Sequence, residues 1–242
     1  MAENEAPGSG HPHDYDHAHP DVSGGWLRAA AFGAMDGLVT NTALIAGVGG
    51  SGLSPHTVAL TGAAGLIAGA FSMALGEYTS VTAQNEQLQA QVRVEEEALA
   101  RLPEAEEREL ANMLVGYGMR PETAARASRE IHQDGAQTLR AHVVHELGLD
   151  PDDQPSPLVA AGLSFVMFAL GALIPLLPYL LGIDSLLIGL ICGFVGFVGA
   201  GAASARLTGR PMAFGAARQL GLGAAAVGAT YLIGMAVGHV VA

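Results

Sequence analysis

Five stretches of the chain stay apolar for long enough to cross a bilayer, which takes about 20 residues as a helix. They run Leu27–Gly49, Thr57–Ser80, Leu158–Leu181, Asp184–Ala205 and Ala213–Val240. Short turns, GSGLSPH and GID, join the first to the second and the third to the fourth. Pro175 and Pro178 predict a kink or local unwinding in the third span. Between the second and third spans the pattern changes to a polar, helical one. VTAQNEQLQAQVRVEEEALARL continues the second span out of the membrane, and Pro103 breaks it. EAEERELANMLVGYG then forms a second helix with Gly118 as its stop. PETAARASREIHQDGAQTLRAHVVHELG forms a third, interrupted at Gly135. The fold class expected is all-α: a polytopic membrane protein with five transmembrane helices and a cytoplasmic three-helix insertion between the second and third. The chain divides into a tail (1–25), two spans (26–80), an acidic helical metal-binding insertion (81–157) and three spans (158–242). The tail carries HPHDYDHAHPD and reads as disordered.

Composition strengthens the membrane reading. Half of the 242 residues are hydrophobic and 14% are charged, against about 25% charged in an ordinary soluble domain. The 33 glycines fall mostly in the apolar stretches, where small residues let helices approach closely. Three pairs are spaced for such contacts: Gly65 and Gly69, Gly189 and Gly193, Gly234 and Gly238. The single cysteine, Cys192, excludes a disulfide framework or a CxxC site and predicts a buried free thiol. No basic region precedes the first apolar stretch, so the first span is expected to remain in the mature protein.

Charge sets the expected orientation. All 11 basic residues are arginines. With the N-terminus and residues 81–157 in the cytoplasm, Arg28, Arg206 and Arg210 fall on the cytoplasmic side and the two outer turns carry no basic residue. The C-terminus then lies outside. Arginine without lysine, together with abundant Ala and Gly, points to a GC-rich bacterial genome and hence to a bacterial inner membrane, with a vacuole-like organelle second. The acidic balance argues against nucleic-acid binding. The absence of GxxxxGK[ST] leaves ATP-driven transport unsupported.

Asp36 and Glu77 are the only acidic residues within the first two spans. Asp36 lies about nine residues into the first, roughly 13 Å deep. An ionisable group at that depth is a functional site by default, the plainer alternative being a protonated acid bonded to a neighbouring helix. Met73 lies about eight residues from the cytoplasmic end of the second span, roughly 12 Å deep. A carboxylate and a thioether at one level suit a transition metal better than Mg²⁺ or Ca²⁺, although Met most often simply packs. Glu77 shares a face with Met73 at i,i+4 and serves as a relay or a structural partner. Two ligands per chain are few for an octahedral ion, and a two-fold homodimer would double them.

The insertion carries 15 acidic residues against seven arginines. Its candidate ligands are Glu95, Glu97, Glu106, Glu109, His142 and Glu146, oxygen donors with an imidazole among them. A solvated acidic helix surface is the plainer reading of such runs. HVVHE is not HExxH, and EIH is not the ExxH of di-iron bundles, so neither enzyme signature is met. His11, His13, His17 and His19 either trap metal weakly or belong to an inert tail.

GWLRAAAFGAMDGLVTNTALIAGV, GAFSMALGEYTSV and HELGLDP together resemble the vacuolar iron transporter family, over essentially Gly25 to the C-terminus. The resemblance implies a homodimeric, proton-coupled exporter of cytosolic Fe²⁺, often able to carry Mn²⁺. It also implies a pathway between protomers and a cytoplasmic three-helix metal-binding domain. By motif, the family's membrane aspartate and methionine match Asp36 and Met73, and its cytoplasmic glutamates match Glu95, Glu106, Glu109 and Glu146. Two departures stand out. A glutamate expected one turn after Glu95 meets Ala98, with Glu97 adjacent, and an expected methionine pair meets His142 and Val143.

The expected function is therefore export of Fe²⁺, and of Mn²⁺ as a further cargo, by proton antiport through a dimer-interface pathway in lipid. No covalent chemistry and no permanently bound cofactor are expected. Two other classes stay open: a membrane-anchored metal sensor or store, and a structural scaffold.

Overall fold

The computed structural model describes residues 26–148 and 154–241. The histidine-bearing tail, expected to be disordered, lies outside them. Every regular element among the described residues is helical. Helix α1 is Trp26–Gly50, α2 Pro55–Arg101, α3 Pro103–Gly116, α4 Pro121–Ile131 and α5 Gly135–His142, the last followed by a π-turn at Val143–Leu147. Helices α6 (Pro157–Leu180), α7 (Leu186–Leu207) and α8 (Met212–Val241) complete the chain. Helices α1, α6, α7, α8 and the first part of α2 are the five long and apolar enough to span a membrane.

Local chemistry sets several helix ends. Ser54 caps α2, accepting a 3.2 Å hydrogen bond from the Thr57 amide, with Pro55 in the first turn. From there α2 runs 47 residues without a break, about 70 Å at 1.5 Å per residue. Leu102 and Pro103 end it and begin α3. Gly118 follows α3 at φ +93, the left-handed turn that glycine adopts without a Cβ penalty. Asp134 separates α4 from α5, its carboxylate accepting from the Ala136 and Gln137 amides. The expected interruption at Gly135 is this cap. Pro175 and Pro178, by contrast, sit inside a continuous α6. Both lie in its last six residues, so the unwinding expected there does not divide the helix. Cys192 is half-buried rather than buried, and its thiol is free.

Helix α1 is the centre of the membrane bundle, packed against α2, α6, α7 and α8. Leu38, Ala43 and Ala46 meet Phe197 and Val227 on one side, and Ile45 meets Val58, Leu176 and Tyr179 on another. Glycines set how close the helices come. Gly37 lies against the Phe168 backbone of α6, and Gly171 answers it against the Ala34 backbone of α1. The three glycine pairs all face neighbours within the chain. Gly65 meets Leu44, Gly69 the Phe168 ring, Gly189 Tyr179, Gly193 Thr42, Gly234 the Gly47 backbone and Gly238 the Ser51 backbone.

A Cβ at position 37 would overlap a main-chain carbonyl that cannot swing aside. Gly37→Ala is expected to destabilise the protein by about 2–3 kcal/mol, as overpacking does. Gly221→Ala, with open space beside it, should leave stability unchanged or slightly raised. Thermal unfolding in detergent compares the two. Equal midpoints would show that the α1–α6 contact can relax.

Candidate metal-ion sites

The first site is a groove between α1 and α2. Phe32, Asp36 and Thr40 line it from α1, Gly69, Ser72, Met73, Gly76 and Glu77 from α2, and Phe168 closes its floor from α6. Its volume is about 420 Å³ and it opens to the outside of the chain. Asp36 and Met73 are both half-buried. The Thr40 hydroxyl donates to Asp36 Oδ1 at 3.4 Å, a long contact that leaves most of the carboxylate's capacity unused. Gly33 and Gly37, which flank Asp36, make room for a neighbouring helix. Both face the α6 backbone.

Glu77 lies at the groove's end and is buried, with 9% of its surface exposed. Its Oε1 accepts from Arg28 Nη2 at 3.0 Å. The exposed guanidinium thus ties the start of α1 to α2 and compensates a carboxylate that would otherwise be buried alone. Glu77 is thus the partner of Arg28 in this structure.

The second site lies in the insertion, where Glu95 on α2, His142 at the end of α5 and Glu146 in the π-turn bring ligand atoms within 4.8 Å of one another. His142 is fully buried. Its Nδ1 is 2.9 Å from Glu95 Oε1 and 3.8 Å from Glu106 Oε2 on α3. His142 Nε2 has no hydrogen-bond partner, and Nδ1 and Glu95 Oε1 face each other at close range without the alignment of a hydrogen bond. Buried polar atoms are rarely left so. Beside these groups α3 and α4 share a core of Leu110, Leu114 and Ala124, with Ala141 of α5 packed against it. The Ser128 hydroxyl donates to the Glu107 carbonyl at 2.6 Å and ties α4 to α3.

Electrostatics in this cluster favour protons on Glu95 and Glu106 and none on the His142 imidazole. Burial, then the charges of Glu146 and Glu106, push Glu95 up to about 7. Burial and then Glu109 and Glu146 raise Glu106, with His132 opposing. Burial, then His132 and His145, hold His142 down to about 4. At neutral pH the imidazole is uncharged and keeps a lone pair, while Glu95 is close to half-protonated.

Not every expected ligand is in the cluster. Glu109 is exposed on α3, beside Ala105 and Asn112 in a shallow depression, and reaches Glu95 and Glu106 through its charge. Glu97 is exposed and, two residues after Glu95, points to another side of α2. The structure does not bring it to the cluster. A residue absent from the sequence reading, His132, is beside it. Its ring lies 5.4 Å from that of His142 at 82°. His132 caps the end of α4 and His142 ends α5, on either side of Gly135, so helical spacing could not relate them. The available signal was compositional: three histidines, His132, His142 and His145, in an otherwise acidic segment.

Five apolar helices and a polar helical insertion define a polytopic α-helical membrane protein. The sequence profile of the VIT family matches residues 27–235, and the chain belongs to that family. Vacuolar iron transporter 1 of Arabidopsis thaliana is 32% identical over 160 residues, covering 66% of this chain and 64% of the relative. The vacuolar iron transporter of Acanthamoeba castellanii is 37% identical over 153 residues, covering 63% of this chain and 55% of the relative. That of Toxoplasma gondii is 32% identical over 170 residues, covering 69% and 56%. The matched stretches thus span 55% to 64% of these relatives' own lengths. Their names speak of vacuoles, and nothing in the comparisons supports the bacterial origin expected from composition.

Proposed function

We propose that the chain exports Fe²⁺, with Mn²⁺ as a further cargo, from the cytoplasm in exchange for protons, acting as a homodimer. The observation that carries this is the groove that holds Asp36 and Met73 together inside a membrane span. The relatives, named vacuolar iron transporters, support iron as the cargo. In this reading the insertion faces the cytoplasm and collects ions at Glu95, Glu106, His142 and Glu146, with Glu109 adding charge. An ion then passes the Arg28–Glu77 pair and reaches Asp36 and Met73 of both protomers. The side of α2 that carries Leu60, Ile67, Phe71 and Leu75, all exposed, supplies the apolar face of the dimer. A proton and a metal compete for the same carboxylates, and exchange of one for the other couples the two flows. No bond is made or broken in the cargo, so the protein is not an enzyme.

The more complete ligand set of the insertion favours one second reading, a membrane-anchored metal sensor or store. Flux separates the two. Purified protein in liposomes with an acidic lumen should take up Fe²⁺ several-fold faster than without the gradient. Uptake indifferent to the gradient removes the antiport, and no uptake above protein-free liposomes leaves the sensor.

A further inference from the structure

We propose that His132 is a ligand of the insertion's metal site, binding through Nε2 beside His142, so that two imidazoles tilt the site toward Fe²⁺, Co²⁺ and Zn²⁺ over Mn²⁺ and Mg²⁺. The inference rests on the reading that the insertion loads the cargo ion.

Three observations carry it. His132 Nδ1 is 2.9 Å from the Ser128 carbonyl oxygen. A carbonyl only accepts, so Nδ1 bears the proton and Nε2 bears the lone pair. A backbone carbonyl that fixes one nitrogen and frees the other is the usual support for a metal-binding histidine. Second, Nε2 is buried and has no hydrogen-bond partner, just as Nε2 of His142 has none. Nε2 lies across the ring from Nδ1, so it points away from the α4 backbone. Third, the rings are 5.4 Å apart, centre to centre. A metal–nitrogen bond of about 2.1 Å puts an ion about 3.2 Å from a ring centre, so two imidazoles on one tetrahedral ion lie about 5 Å apart. The electrostatic reach of His132 to Glu106 and His142 agrees with this placement.

The chemistry follows from the donors. Carboxylates alone accept Mn²⁺, Mg²⁺ and Ca²⁺ readily, whereas imidazole suits Fe²⁺, Co²⁺ and Zn²⁺. A thioether at position 142 would also select softer ions, and the two imidazoles here do so with nitrogen.

Zinc is the probe, on the full chain with His11, His13, His17 and His19 changed to alanine so that the tail does not compete. Zinc X-ray absorption at one equivalent counts imidazole ligands without touching the site, and two are expected. Competition against a chromophoric chelator should show His132→Gln weakening Zn²⁺ about 10–100-fold and Mn²⁺ less than about threefold. One imidazole in the unsubstituted site, or unchanged Zn²⁺ affinity in His132→Gln, overturns the inference. Glu95→Gln tells which idea failed. If it loses Zn²⁺ while His132→Gln keeps it, the loading reading stands and His132 is structural. If both variants bind normally, the ion is elsewhere and both ideas fall.

Discussion

Replacing Asp36 by asparagine is expected to lower Fe²⁺ uptake into liposomes by about 100-fold or more. That is the factor about 3 kcal/mol of lost ion stabilisation produces. Asparagine has nearly the shape of aspartate and can still accept the Thr40 hydroxyl, so the groove's packing is kept. What disappears is the negative charge. An ion that has shed water within the membrane needs an anionic ligand, because a neutral carbonyl cannot offset the lost hydration of a divalent cation. Met73→Leu is the companion test. It preserves volume at a cost usually below about 1.5 kcal/mol but removes the sulfur. It should slow Fe²⁺ more than Mn²⁺, since the thioether is the softer ligand. Asp36→Asn with normal flux and normal unfolding would remove Asp36 from the pathway.

Metal affinity of the insertion is expected to drop by about tenfold per pH unit as pH falls below about 7. The sign comes from Glu95. Its carboxyl is raised to about 7 by burial and by Glu146 and Glu106, so below that pH an ion must displace a proton to bind. Above it the carboxylate is already ionised and the curve should flatten. His142 is held down to about 4 and stays neutral throughout, so it adds no slope until the pH is far lower. Glu95→Gln should abolish the pH dependence and weaken binding by about 100-fold, since a charged ligand is lost. Titration of Co²⁺ or Fe²⁺ between pH 5.5 and 8 measures both. A variant that binds weakly yet keeps the slope would assign the proton to another acid, Glu106 first.

The membrane helices were legible because their signal is local. Long apolar runs bounded by Gly, Pro and Ser place each span within a few residues of α1, α2, α6, α7 and α8. The continuation of the second span as one helix was legible too, since nothing between Tyr78 and Arg101 breaks it. Pairings between distant residues were not. Arg28 and Glu77 are 49 residues apart, and no periodicity connects them. His132 and His142 meet only because the chain turns at Asp134 between α4 and α5. Glu97 misled for the opposite reason. In sequence it adjoins Glu95 and Glu96, yet helical rotation parts neighbours that look like one cluster. The role of the small residues also became concrete. Gly37 beside Asp36 serves the close approach of the α6 backbone.

Glu77 and Glu95 are 18 residues apart on the unbroken α2, which is about five turns and about 27 Å. Whole turns put both acids on the same edge of the rod, and both are buried. The stretch between them holds no glycine or proline, so it has no built-in joint. A helix of this kind acts as a lever arm with its pivot in the bilayer. A tilt of about 10° at Glu77 would swing Glu95 by about 5 Å, as simple trigonometry on that helical rise requires. A shift of that size matches the 4.8 Å within which the ligand atoms around Glu95 lie. Motion of the groove wall would therefore be enough to pull the insertion's cluster apart, and an ion bound in the cluster would in turn brace the wall.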